Sequence, residues 1–206
     1  MSWLATDADL PEFANFSGTT LMPYAIGYRW YDDNASRQLL RTAQSARPMG
    51  FGYGLSYSKF SYGNLQVPCS DVSKTGVVNV TVDVTNTSER AGDEIVFLFV
   101  SYGHSTSPRR PLKELKAYRR VHLAGRNPAD PNAMDGHAKR ITLPLRVKDL
   151  KYWDMTANDW AIESGDVRVI IAPSAAAASD ALATPALVCA GGAGTDCALT
   201  DAFRVN

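Results

Sequence analysis

From Val77 onward the chain alternates strictly: Val78, Val80, Val82 and Val84 are separated by Asn79, Thr81, Asp83 and Thr85. Successive side chains of an extended strand point to opposite faces, so this period of two marks a strand with one apolar face and one wet face. A helix would place its apolar residues three and four apart instead. The segment therefore commits the chain to a sheet whose valine face must be covered by other structure.

The residues around it supply that structure. Asn86-Thr87-Ser88-Glu89-Arg90-Ala91-Gly92-Asp93 is rich in turn formers. Ile95 to Val100 is continuously apolar, as expected of a strand covered on both faces at the centre of its sheet. Leu115 to Leu123 reads as a further strand with Val121 and Leu123 inward. Ile141, Leu143, Leu145 and Val147 form another, and Pro144 argues that it lies at an edge because proline has no N–H to donate. Leu150 to Trp153 and Trp160 to Ile162 flank a polar turn, and Val167, Val169 and Ile171 follow the Ser164-Gly165-Asp166 turn. Trp153 and Trp160 border strands with inward alternation, which assigns them to the core rather than to a carbohydrate platform. The tail after Ala172 is alanine-rich, with Ala198 to Val205 read as a returning strand. About seven short strands at hairpin-like spacing give a mainly β chain, a β-sandwich of immunoglobulin-like topology.

Residues 1–48 differ. They hold aromatic clusters without sustained periodicity, and only Ala35 to Ala46 reads as a short helix, with Asn34 as its N-cap. So aromatic and irregular a segment is expected to pack on something else. The division read from these patterns is residues 1–62 as a leading segment and linker and residues 63–206 as the sandwich.

At 206 residues one main core is expected. Lys+Arg and Asp+Glu are both 21, so the large basic field that nucleic acid or an anionic membrane requires is absent. No apolar run approaches the roughly 20 residues that span a bilayer. Met1-Ser2-Trp3-Leu4-Ala5-Thr6-Asp7 lacks the basic start and apolar core of a signal peptide. Asn15, Asn34, Asn79 and Asn86 stand in Asn-x-Ser/Thr sequons, which suits a secreted eukaryotic protein, and a secreted or periplasmic setting is the expectation. Cys189 and Cys197 bracket a glycine-rich loop; they would close a disulfide worth about 2.5 kcal/mol in an oxidising compartment, or remain two free thiols. His104, His122 and His137 show no ligand spacing, and neither a metal nor a cofactor is expected.

Gly50-Phe51-Gly52-Tyr53-Gly54-Leu55-Ser56-Tyr57 places three glycines at every second position among large aromatic faces. No helix follows whose N-terminus would hold a phosphate, so a dinucleotide loop is ruled out and a joint is expected. The run resembles the Phe-Gly-x-Gly-Leu-Ser-Tyr signature of family-3 glycoside hydrolases, the β-glucosidase and β-xylosidase group. Other blocks are similar to that family in the same order. Gly27-Tyr28-Arg29-Trp30-Tyr31-Asp32 resembles the stretch before the end of its α/β sandwich domain. Val84-Thr85-Asn86-Thr87-Ser88 with Ala91-Gly92-Asp93-Glu94 resembles the first hairpin of its fibronectin type III-like domain. Pro108-Arg109-Arg110-Pro111-Leu112-Lys113-Glu114-Leu115-Lys116-Ala117-Tyr118 resembles the Pro-x-Lys-Glu-Leu-Lys-Gly-Phe block of the same domain. Residues 24 to 172 are covered. The departures are a longer connection from Asn34 to Ala46, Ala117 where glycine is common, and the cysteine tail.

Retaining glycoside hydrolysis needs two carboxylates about 5 Å apart. The resemblance implies that the nucleophile comes from an N-terminal barrel and the acid/base from the α/β domain before the Gly-Tyr-Arg block, so no catalytic residue is assigned within this chain. Asp32-Asp33, Asp93-Glu94 and Asp154 are read as solvated faces or turn caps. Tyr28, Arg29, Trp30 and Tyr31 are read as filling a domain interface, with a sugar rim as the other use of such a cluster. Arg109, Arg110, Lys113, Lys116, Arg119 and Arg120 are expected to form a solvated basic surface. The expected partners are the barrel and α/β sandwich domains of a parent hydrolase, with carbohydrate as a further candidate. The competing reading is a stand-alone fibronectin type III-like module that binds carbohydrate or protein.

Overall fold

The computed structural model describes residues 27–31, 50–68, 70–102, 110–127, 129, 136–183 and 198–206. The expected helix Ala35 to Ala46 with its cap Asn34, Asp32-Asp33, Arg109, Cys189 and Cys197 lie outside them, as do the side chains of Trp30 and Tyr31.

In chain order the elements are α1 (Tyr28–Tyr31), β1 (Phe60–Gln66), β2 (Asp71–Val72), β3 (Val77–Asn86), β4 (Gly92–Tyr102), β5 (Glu114–Leu123) and β6 (Ala138–Arg146). A 3-10 turn at Val147–Leu150 leads to β7 (Tyr152–Asp154), β8 (Asp159–Ala161), β9 (Gly165–Ala172), α2 (Ala175–Ala183) and β10 (Leu199–Val205). One sheet has the order β1-β3-β6 and a second the order β2-β10-β9-β4-β5, while β7 and β8 pair only with each other. All pairings are antiparallel except β2 with β10.

The alternating valines of β3 are all fully buried. They pack with Ile141, Leu143 and Leu145 of β6 against Val96, Leu98 and Val100 of β4 and Val167, Val169 and Ile171 of β9. This is the sandwich core, formed because each sheet buries its apolar face on the other. Pro144 sits on the edge strand β6 opposite Asn79, where its missing N–H breaks no ladder between two neighbours.

The strand β4 lies between β9 and β5 and is buried on both faces, as its unbroken apolar run requires. Its other face carries Phe97 and Phe99 into a second cluster with Ile170, Ala172 and the α2 alanines Ala175, Ala178 and Ala181. Those alanines recur every three residues, so one helix face is small enough to lie close on the sheet. Ser174 caps α2, its Oγ accepting the Ala177 N–H at 3.2 Å.

Two expectations are corrected here. Trp153 and Trp160 are not core: they face each other across β7 and β8 with ring centroids 5.6 Å apart, 42% and 55% exposed. Inward alternation fails because that hairpin belongs to neither main sheet. Asn86, one of the sequon residues, is fully buried. Its Nδ2 donates to the Arg90 carbonyl at 2.7 Å and the Ala124 carbonyl at 3.0 Å, so the fold uses the amide that a glycan would need. The same corner requires Gly125, where a Cβ would lie 1.8 Å from the Glu89 carbonyl oxygen.

Candidate functional site

The sequence Lys113-Glu114-Leu115 opens β5, and its three side chains or amides each hold a different partner. Leu115 packs into the outer cluster on Phe99, and its N–H donates to the Tyr28 hydroxyl at 2.9 Å. The Tyr28 ring stands edge-on to Phe99, with centroids 5.9 Å apart. Lys113 is fully buried, donates to Ser179 Oγ on α2, and lies over the Tyr28 and Phe99 rings at 5.6 and 5.9 Å.

Glu114 gathers the charge. Its carboxylate is 3.0 Å from Lys116 Nζ, 3.3 Å from Arg29 Nη2 and 3.8 Å from Arg110 Nη2, and it accepts the Tyr102 hydroxyl at 3.1 Å. Arg110 is itself held: its guanidinium lies 3.8 Å from the Tyr102 ring and 4.9 Å from the Tyr152 ring, and Nη2 donates to the Leu150 carbonyl at 2.8 Å. Lys116 also donates to the Asp149 carbonyl at 2.8 Å. Burial alone would raise the Glu114 pKa, but Lys116, Arg29 and Arg110 outweigh it and hold the carboxyl below its ordinary range. Burial, then the neighbouring Glu114 charge, pushes the Tyr102 phenol up, so it stays a donor.

The glycine-aromatic run lies beside this grip as a clasp. Tyr53 N–H donates to the Gly50 carbonyl at 2.9 Å, and the Phe51 carbonyl accepts the Ala175 N–H at the start of α2 at 2.8 Å. The Phe51 ring sits 5.6 Å from Tyr28 and 5.4 Å from Phe97. Gly52 has φ +84°, and a Cβ there would lie 2.6 Å from Phe97 Cε2, so the position needs glycine both for its backbone and for the approach. Tyr53, Leu55 and Tyr57 are exposed, as are Ile95 and Tyr118 on β4 and β5.

The basic stretch expected to be solvated is therefore divided. Arg110 and Lys113 are buried and Lys116 largely so, whereas Arg119 and Arg120 are exposed. Alternation along β5 was legible; the aromatic walls and the carboxylate that receive the buried cations come from other elements and were not. Among the carboxylates, Asp93 pairs with Arg120 and His122, and Asp154 caps its turn through the Thr156 and Ala157 N–H groups. Glu94 is no solvated face: it accepts the buried Tyr62 hydroxyl across the two sheets. Burial raises the Glu94 pKa, only partly opposed by that hydrogen bond. Its ionised form is thus penalised in the fold, a loss that grows as pH rises through the raised folded pKa and vanishes below the unfolded one. Glu94→Gln is expected to melt at or above the wild-type temperature at pH 7, with the difference closing or reversing as pH falls; a variant that melts well below wild type at pH 7 would contradict this reading.

A family model described as a fibronectin type III-like domain matches residues 94–175. Over most of its length the chain is similar to family-3 glycoside hydrolases of β-glucosidase type, as a C-terminal part of them. It is 36% identical over 169 residues to thermostable β-glucosidase B of Acetivibrio thermocellus, covering 80% of this chain and 20% of that protein. It is 33% identical over 151 residues to an exo-alpha-(1->6)-L-arabinopyranosidase of Bifidobacterium breve, covering 72% of this chain and 17% of that protein. The crystal structure of a Bifidobacterium adolescentis GH3 β-glucosidase superposes with a TM-score of 0.56 at 32% identity, covering 72% of this chain and 19% of that one. The chain thus spans a fifth or less of the proteins it matches.

Proposed function

We propose that the chain is the C-terminal structural part of a β-glucosidase-like hydrolase that releases terminal β-linked sugars, and that it is not catalytic alone. The observation that carries this reading is the grip on Tyr28 and Arg29: residues resembling the end of the family's α/β domain are bonded to the opening of β5. The proposed division is residues 1–62 as the tail of that domain and linker, and 63–206 as the fibronectin type III-like sandwich, with the seam inside β1. Tyr53, Leu55 and Tyr57 of the clasp and Ile95 and Tyr118 of β4 and β5 are large apolar side chains left exposed, which supports contact with the barrel and α/β domains. The catalytic carboxylates would belong to those domains.

The purified chain is accordingly expected to leave an aryl β-glucoside intact, while the same chain fused behind the first four-fifths of the Acetivibrio thermocellus enzyme hydrolyses it. Turnover by the isolated chain that a point change within it abolishes would overturn the reading. A second reading, a carbohydrate-binding module, is favoured by one observation, the exposed Trp153 and Trp160 pair on the β7–β8 hairpin. Saturable binding of β-glucans to the isolated chain, lost in Trp153→Ala, would support it.

A further inference from the structure

We propose that Glu114 is a positioning residue of the parent hydrolase: through Arg29 it fixes where α1 runs, and so where the chain stands at Trp30 and Tyr31. This rests on the reading of the chain as part of that enzyme. The helix α1 is one turn of four residues, too short to hold its own conformation, so its placement comes from tertiary contacts. Two adjacent residues of α1 are held by two adjacent residues of β5: Tyr28 by the Leu115 N–H and Arg29 by the Glu114 carboxylate. A single bond would leave α1 free to swivel about it. Two bonds at neighbouring positions remove that freedom.

The anchor is itself fixed. Glu114 accepts from Tyr102 and pairs with Lys116 and Arg110, and both cations are tied to backbone carbonyls of the segment before β7, at Asp149 and Leu150. Among the described residues, Arg29 is the one cationic partner of Glu114 that comes from the leading segment. Glu114 therefore transmits the rigidity of the sandwich to α1 by one side chain, and Trp30 and Tyr31 follow in the same helical turn.

The test uses the fusion named above and the chain alone. In the fusion, Glu114→Gln is expected to raise KM for an aryl β-glucoside roughly five-fold with kcat nearly unchanged, because it displaces the stretch read as a domain interface or sugar rim, and a displaced binding surface weakens ground and transition states alike. Arg29→Ala is expected to match it, and the double variant to add nothing. Arg120→Gln, on the same strand as Glu114, breaks an exposed ion pair with Asp93, touches neither Glu114 nor α1, and is expected to leave KM unchanged. An unchanged KM in Glu114→Gln, additive effects in the double variant, or an equal effect from Arg120→Gln would overturn the proposal. In the chain alone, hydrogen exchange at the Leu115 amide reports the Tyr28 bond; Glu114→Gln and Arg29→Ala are expected to speed it roughly ten-fold and Arg120→Gln to leave it. Should the unaltered fusion fail to hydrolyse, the hydrolase reading falls, while unchanged Leu115 exchange in both α1-directed variants sinks the positioning role independently.

Discussion

Glu114→Ala is expected to destabilise the chain by about 3–5 kcal/mol, because removing one partner of a buried ion cluster leaves the others uncompensated. The Glu114 side chain is 11% exposed and that of Arg110 3%, so water does little to replace the lost carboxylate. Arg29, Arg110 and Lys116 would then face one another around an empty site, and the Tyr102 hydroxyl would lose its acceptor. At this chain length the melting temperature should fall by roughly 10 °C. The pH dependence carries a sign. The Glu114 pKa is held below its ordinary value, so its contribution is complete above the unfolded carboxylate pKa and is lost as pH falls through the lowered folded one. The deficit of Glu114→Ala relative to wild type should therefore be constant between pH 7 and the ordinary carboxylate range and shrink only at more acid pH. A loss below about 1 kcal/mol, the value typical of exposed ion pairs, would show that the cluster is solvated after all.

Gly52→Val is expected to give the second large effect, about 3 kcal/mol or more. A β-branched residue at φ +84° carries strain of about 1–3 kcal/mol. In addition its Cβ would overlap Phe97 Cε2 at 2.6 Å and crowd the Pro173 carbonyl oxygen at 3.3 Å, so the clasp must lift or Phe97 must shift. Gly54→Val, two residues on, meets nothing within 4 Å and has no positive φ, and it should change stability by no more than about 0.5 kcal/mol. Thermal denaturation of the two variants side by side checks the claim; equal effects would mean that the glycines serve general flexibility rather than one close approach.

Much of the fold was legible because its strands are long and amphipathic. The β3 valines, the doubly covered β4 and the edge proline all follow from local pattern, and each stands where that pattern puts it. The run from Gly50 to Tyr57 was legible as a joint, but which glycine is indispensable depends on Phe97, which lies 45 residues further along. The β7–β8 hairpin misled the core assignment for a related reason: alternation says which residues share a face, not whether another layer covers that face. The charged grip was hidden in the same way. Lys113 and Arg110 look like surface residues until Tyr28, Phe99, Tyr102 and Tyr152 close around them, and burial of a cation depends on such partners rather than on its sequence neighbours.

The double use of β4 has a consequence for how the chain comes apart. Phe97 and Phe99 serve the outer cluster while Val96, Leu98 and Val100 serve the sandwich, so the outer layer of α1, clasp and α2 can detach without breaking the β4 ladder. A shedding of that layer from an intact sandwich would bare two phenylalanines on a strand still fully paired. Such a state is sticky rather than unfolded, and self-association of the isolated chain at mild temperature would set in well before its sheets melt.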